Sequence, residues 1–308
     1  MNPSTASRTA LATSLMRAVH SRCDPAPLLD DTWGDRLVPE SAQAAFRQRA
    51  MDRMYATVPG QMPEGDSLDV ALRSNAAYAD VILRSRYAED ALKEAVARGI
   101  EQYVIVGAGF DSFMCRRPDW ANNLTIYEVD HPATQRLKRH RLTACKVSVP
   151  SSVQFVEADL AMEALGTALT RSSFRTDRPT FFSWLGVTMY LTREANLNAL
   201  RAIASCTSVA SELVFTYVDE AALNPGHAAD ESFRRLKAEV SAAGETFLSG
   251  FDPSTLKDLL LETGLLLLED LDGNQAVARY DAAGQNAFRS AAAAHIAHVR
   301  GIAPGTAA

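Results

Sequence analysis

Cysteine is scarce in this chain: Cys23, Cys115, Cys145 and Cys206 are the only four in 308 residues, and none belongs to a CxxC pair. Such spacing excludes a disulfide framework and a cysteine-based zinc site, and predicts a reducing, cytoplasmic home. Among the six histidines there is no HExxH, so no metal site is expected. His295 and His298, read as neighbours on the face of a last helix, have no acid or cysteine beside them. Long hydrophobic runs are missing too. The longest leucine run, Leu265 to Leu268, is of strand length, far short of the ~18 apolar residues of a membrane span. A positive surplus is also absent, since 31 basic side chains face 37 acidic ones. With a net charge of −6, no global field draws the chain to nucleic acid or an anionic membrane. Sixteen glycines and 13 prolines are too few for a collagenous or low-complexity chain. The partner this leaves is a small molecule; oligomeric state is not legible.

What is present is an ordinary globular composition, 47% hydrophobic and 22% charged. The first 22 residues hold Arg8, Arg17 and Arg22 and no acid, but Arg17 interrupts any apolar stretch of a signal segment. Leu11, Leu15 and Val19 recur at i, i+4 and i+8 and predict an amphipathic helix packed on the body. Residues 1–98 as a whole read as a helical cap. Ser41 to Met54 is one helix in it, with Ser41 as its cap, followed by a proline- and glycine-rich loop from Val58 to Gly65. At Tyr103-Val104-Ile105-Val106 the pattern changes to a buried parallel strand that ends at Gly107-Ala108-Gly109.

From there segments alternate. Leu124 to Asp130, Val153 to Val156, Thr180 to Trp184 and Leu213 to Val218 read as strands. Ala133 to Lys146, Ala161 to Leu169 and Arg193 to Ser205 read as helices. This rhythm predicts an α/β, doubly wound sheet over residues 99–220. Residues 221–255, with Asn224-Pro225-Gly226 and a helix from Asp230 to Ala242, break it and read as a lid insertion. Residues 256–308 complete the core: a helix from Ser254 to Thr263, strands at Leu265 to Glu269 and Gln275 to Tyr280 about an Asp272-Gly273 turn, and a last helix from Asn286 to Arg300.

The chemistry concentrates at the strand ends. Gly107 and Gly109 let the backbone turn sharply and approach a ligand without a Cβ, beside an expected helix N-terminus. Asp130 lies 23 residues beyond Gly107, near the ~20-residue offset at which an acid grips ribose hydroxyls. Asp130 can equally cap the helix that starts at Pro132. Asp159, after the third strand, suits an adenine amine with Leu160 flanking the ring, or again a helix cap. A dinucleotide site wants a small third residue at position 112, where Ser112 stands, which counts against a nicotinamide-dependent oxidoreductase. A nucleoside ligand without a pyrophosphate fits better, and S-adenosylmethionine is one.

Four ordered segments then resemble the leucine carboxyl methyltransferase-like branch of class I S-adenosylmethionine-dependent methyltransferases, a doubly wound Rossmann-like fold. They are Val106-Gly107-Ala108-Gly109-Phe110-Asp111-Ser112, Tyr127-Glu128-Val129-Asp130-His131-Pro132, Glu157-Ala158-Asp159-Leu160 and Gly186-Val187-Thr188-Met189-Tyr190-Leu191. Upstream, Leu83-Arg84-Ser85-Arg86-Tyr87 resembles that family's arginine segment, placed ahead of a helix. The resemblance implies that Gly107, Ala108 and Gly109 lie against the methionine part of the cofactor. It implies further that Asp130 holds the ribose, Asp159 and Leu160 hold adenine, and Arg84 pairs with the cofactor carboxylate, with Arg73 and Arg86 as rivals. Tyr190, the catalytic candidate, faces cofactor or acceptor, or is a buried aromatic under its loop. Two departures stand out. Leu185 occupies the place of a glutamate common in the family, which leaves a non-catalytic cofactor-binding protein as an alternative, and Phe113 and Cys115 replace a common arginine and tyrosine. The implied activity is transfer of a methyl group to a carboxylate, or an acidic hydroxyl, of a small molecule, as in secondary metabolism. Trp184, Phe181, Phe182, Met189 and Phe251 are candidates for an apolar acceptor pocket or for plain core.

Overall fold

A computed structural model describes residues 7–57, 66–205, 210–224, 231–242 and 244–302. The loop expected from Val58 to Gly65 lies outside these residues, as do Pro225, Gly226, Asp230 and Cys206. Five helices come first: α1 Arg8–Cys23, α2 Gly34–Leu37, α3 Glu40–Thr57, α4 Ser67–Arg73 and α5 Tyr78–Ala97. Leu11, Leu15 and Val19 are buried on α1, as their spacing predicts, and Ser7 caps the helix by accepting from the Ala10 N–H. Ser41 is not a cap, because α3 already starts at Glu40. The arginine segment does not precede a helix either: Arg84 sits in the middle of α5.

Seven strands form one sheet in the order β3-β2-β1-β4-β5-β7-β6. They are β1 Gln102–Val106, β2 Thr125–Asp130, β3 Val153–Glu157, β4 Thr180–Trp184, β5 Glu212–Val218, β6 Leu265–Asp272 and β7 Ala294–Gly301. β1 to β5 pair in parallel, and β7 runs antiparallel between β5 and β6. Helices α6 Pro132–Ala144, α7 Leu165–Leu169, α8 Arg193–Ser205, α9 Glu231–Ala242, α10 Leu256–Glu262 and α11 Gly273–Tyr280 connect them. The strand period of two divides the core cleanly. Tyr103, Ile105, Ile126, Phe181, Val214 and Ile296 pack with the N-terminal helices. Val104, Val106, Tyr127, Val129, Phe182, Phe215 and Val299 pack on the other face with α7, α8 and α10.

The C-terminal expectations are overturned in two places. Gln275 to Tyr280 is helical, because Asp272 accepts from the Gln275 N–H at 2.8 Å while the Gln275 side chain accepts from the Asp272 N–H at 2.9 Å. This reciprocal cap starts α11 where a hairpin turn was expected. Residues Asn286 to Arg300 do not form a helix. Their second half is β7, whose backbone saturates the ladders of both β5 and β6, a tertiary demand that outweighs local alanine propensity. His295 and His298 therefore point to opposite faces of a strand, not along one helix face. Helix α7 is shorter than expected, since the Asp159 side chain accepts from the Ala161 N–H and turns the chain before Leu165.

Candidate active site

The strand order reverses between β1 and β4, and in an open α/β sheet a ligand crevice forms there, beyond the carboxyl ends of the strands. A cavity of about 410 Å³ occupies this place. Gly107, Ala108 and Gly109 line it from the end of β1, Asp130 and His131 from β2, Asp159 and Leu160 from β3, Leu185, Gly186 and Tyr190 from β4, and Arg84 from α5. All eight site residues read from the sequence meet in this one space.

The glycine loop is held by the neighbouring strand. The Gly107 and Ala108 N–H groups donate to the Val129 carbonyl, at 2.8 and 3.1 Å. Gly107 has φ +69°, and a Cβ there would stand 2.4 Å from Val187 Cγ2 of the fourth motif, so only glycine fits. Beyond the loop there is no long helix, contrary to expectation, but a single 3₁₀ turn, Phe113–Cys115. The fully buried Ser112 hydroxyl donates to Asp31 at 2.5 Å and so ties this turn to the N-terminal helices. A pyrophosphate thus meets no α-helix N-terminus here, and the argument against a dinucleotide gains a structural reason.

Asp130 receives the Gly109 N–H and, at 2.5 Å, the His131 N–H. Burial pushes its carboxyl pKa up, and these two donors oppose that shift. A carboxylate has about four acceptor positions, so free lone pairs remain for a ligand hydroxyl. The cap expected of Asp130 falls instead to His131, whose Nδ1 accepts from the Ala133 N–H at 3.2 Å. Asp159 is both cap and cavity wall.

The structure also selects among the arginines. Arg73 pairs with Asp24 at 2.9 Å, and Arg86 pairs with Asp90 and donates to the Leu28 carbonyl. Arg84 alone of the three faces the cavity, and among the described residues no side chain or carbonyl forms a hydrogen bond or ion pair with it. Burial lowers its pKa, against the weaker pull of Asp80 and Tyr190. Its guanidinium lies over Gly186, where a Cβ would come within 2.5 Å of Nη2 and where φ is +69°. Alanine at position 186 should therefore displace Arg84 and strain the turn by about 1–2 kcal/mol. The expected result is a roughly tenfold weaker affinity for S-adenosylhomocysteine in calorimetric titration. Unchanged affinity would mean that Arg84 is not a ligand-binding group.

Tyr190 is nearly enclosed, and burial pushes its phenol pKa well up, helped by Glu245. Glu245, whose carboxylate accepts from Thr9 Oγ1 at 2.7 Å, lines the same cavity as Tyr190. Sequence reasoning missed Glu245 and Thr9, which reach the cavity from the segment after α9 and from α1. Tyr190 also borders a second, smaller and mainly apolar chamber of about 90 Å³, lined by Met189, Leu236, Phe247 and Ile296 among others. Of the aromatic and Met candidates for an acceptor pocket only Met189 lines it; Trp184, Phe181, Phe182 and Phe251 are core. Among the described residues no group of three or more metal-binding side chains occurs, and no helix is long and apolar enough to cross a membrane.

The mixed sheet with its antiparallel β7, and a nucleoside-sized cavity at the switch point, are those of the class I methyltransferase fold. A solved chain from Thermobifida fusca, described as a "putative methyltransferase", superposes with TM-score 0.56 at 14% identity over 94% of this chain and 95% of its own. A DUF574-family protein from Streptomyces avermitilis gives 0.53 at 18% identity, over 82% and 90% of the two chains. In sequence, "Putative S-adenosyl-L-methionine-dependent methyltransferase YktD" of Bacillus subtilis is 30% identical over 275 residues, 88% of this chain and 90% of its own length. A Mycobacteroides abscessus protein described in the same terms is 28% identical over 85% of this chain and 77% of its own. A family model, leucine carboxyl methyltransferase, matches residues 10–204. The chain belongs to the leucine carboxyl methyltransferase family.

Proposed function

We propose that this chain transfers the methyl group of S-adenosylmethionine to an oxygen of a small, largely apolar acceptor. The observation that carries the reading is the Arg84 guanidinium, unpaired among the described residues, in a cavity that also presents Asp130 and Asp159. A buried cation without a partner is costly unless a ligand anion completes it. Arg84 suits an amino-acid carboxylate as a bidentate fork, Asp130 suits a ribose, and Asp159 with Leu160 suits adenine. Bound there, S-adenosylmethionine supplies an already activated methyl group on a sulfonium.

The protein's work is therefore alignment and exclusion of water. Gly107 and Gly186 keep two turns low enough for close approach, and the apolar chamber beside Tyr190 receives the acceptor. Tyr190 faces the place where acceptor and cofactor meet. Residues 1–98 act as a cap and 221–255 as a lid over that place. The test is the melting temperature of the purified protein with S-adenosylmethionine, S-adenosylhomocysteine or NAD. A ligand at ~100 times its Kd should stabilise the fold by about 2.7 kcal/mol. Stabilisation by the two sulfur compounds and not by NAD is expected; stabilisation by NAD alone would overturn the reading.

A further inference from the structure

The transferred methyl group has to cross where the two spaces share walls, and the residues common to both are Thr9, Thr13, Arg84, Gly186 and Tyr190. The charges around this junction are lopsided. Glu245 borders it on the cofactor side, accepting from the Thr9 hydroxyl at 2.7 Å, and its charge acts on Tyr190. Asp80 borders it on the chamber side and accepts from the Ser290 hydroxyl. The other charged groups nearby are already engaged. Arg17 donates to Asp31 at 2.8 Å and to the Phe110 carbonyl at 2.8 Å. His295 bonds Asp270 at 3.2 Å and stacks on Tyr217. Among the described residues Arg84 is thus the one cation that lines both spaces, and in the reading above a cofactor carboxylate takes it.

From this we infer that the acceptor is a neutral hydroxyl compound, of the phenol or enol class, and that Glu245 selects for it against carboxylates. The inference rests on the proposed S-adenosylmethionine site. A carboxylate acceptor arriving beside Tyr190 would face Glu245 and Asp80 with no free cation among the described residues, and like charges in a partly desolvated site repel. A hydroxyl acceptor meets the opposite situation, because it brings a proton and the junction holds a carboxylate to take it. As the acceptor oxygen bonds the methyl carbon, the carbon–sulfur bond breaks with its electron pair going to sulfur. The acceptor proton passes, directly or through the Tyr190 hydroxyl, to Glu245. Charge balances: sulfonium and carboxylate become thioether and carboxylic acid.

The test uses size-graded pairs of probes: phenol with benzoate, 2-naphthol with 2-naphthoate, 4-phenylphenol with 4-phenylbenzoate. Two readouts are taken on the full chain, thermal stabilisation of the S-adenosylhomocysteine-bound protein and transfer of labelled methyl from S-adenosylmethionine. The expected result is that at least one hydroxyl probe binds ten times or more tighter than its carboxylate partner. In Glu245→Gln, whose amide oxygen can still accept from Thr9, that ratio should fall towards one, and methyl transfer to the hydroxyl probe should drop at least tenfold. Equal or preferred carboxylate binding, or no hydroxyl preference in any pair, overturns the inference. So does a ratio that Glu245→Gln leaves unchanged. Stabilisation by S-adenosylhomocysteine alone is read separately, so the cofactor site survives if the acceptor inference fails.

Discussion

Replacing Arg84 by methionine should weaken binding of S-adenosylhomocysteine by about 10²- to 10³-fold, the range expected when one partner of a buried, charge-assisted hydrogen-bonded pair is lost. The same substitution should leave the ligand-free protein as stable as the wild type, or more so. These two outcomes rarely coincide, since truncating a buried side chain normally opens a cavity and breaks contacts. Here the guanidinium has no hydrogen-bond or ion-pair partner among the described residues to lose, and burial already disfavours its charge. Methionine keeps an apolar stem on α5 and removes only the head that lies over Gly186. Denaturant melts in the absence of ligand and calorimetric titration with S-adenosylhomocysteine decide the matter. A large loss of ligand-free stability, with affinity untouched, would make Arg84 a structural residue and remove the main support for the cofactor reading.

The part of the molecule that carries this prediction was largely readable from the chain. Strands β1 to β5 are short β-branched or aromatic runs ending in glycine or acid, and sequence and structure agree on them within a residue or two. The glycines, Asp130, Asp159 and Leu160 are near in sequence to those strands, so their convergence follows once the strands are parallel. Arg84 was ambiguous because Arg73 and Arg86 lie on the same stretch, and only packing shows that each rival has its own carboxylate. Strand β7 was lost because an alanine-rich segment satisfies a helical period locally. The alternation of Ile296 and His298 against Ala297 and Val299 was the competing signal, and what decides between them is the gap between β5 and β6. The Asp272-to-Gln275 cap was present in the sequence but was read as a hairpin turn. Glu245 had no sequence signature at all, since its place at the junction depends on how the chain returns from α9 onto α1.

The second large effect lies behind the ribose site. Glu128 of β2 and Lys138 of α6 are both fully buried, with Lys138 Nζ 2.5 Å from Glu128 Oε2, while Glu128 Oε1 has no partner among the described residues. Lys138→Met should destabilise the protein increasingly above neutral pH, by up to about 3–5 kcal/mol where Glu128 is ionised in the wild type, because it removes the cation that pairs with that carboxylate in the core. Adding Glu128→Gln should recover most of that loss, since the amide bears no charge. Burial pushes the Glu128 carboxyl up to about 7 even with Lys138 opposing it. In the unfolded chain the same group titrates near ~4.3. Between those values the native state holds a proton that the unfolded state releases, so this group's contribution to stability is greatest below ~4.3 and falls as pH rises towards about 7. Without Lys138 the carboxyl keeps its proton to higher pH, so the deficit of Lys138→Met should grow, by up to about 1.4 kcal/mol per pH unit above about 7, when urea melts are run at pH 9 instead of pH 6. An equal deficit at both values would show that Lys138 matters for packing and not for charge. The pair also reaches the ligand, because Lys138 helps to keep Asp130 ionised and so able to accept from a ribose. Lys138→Met should therefore weaken S-adenosylhomocysteine binding even at temperatures where the variant is fully folded, a link from a core ion pair to the site that a purely structural lysine would not show.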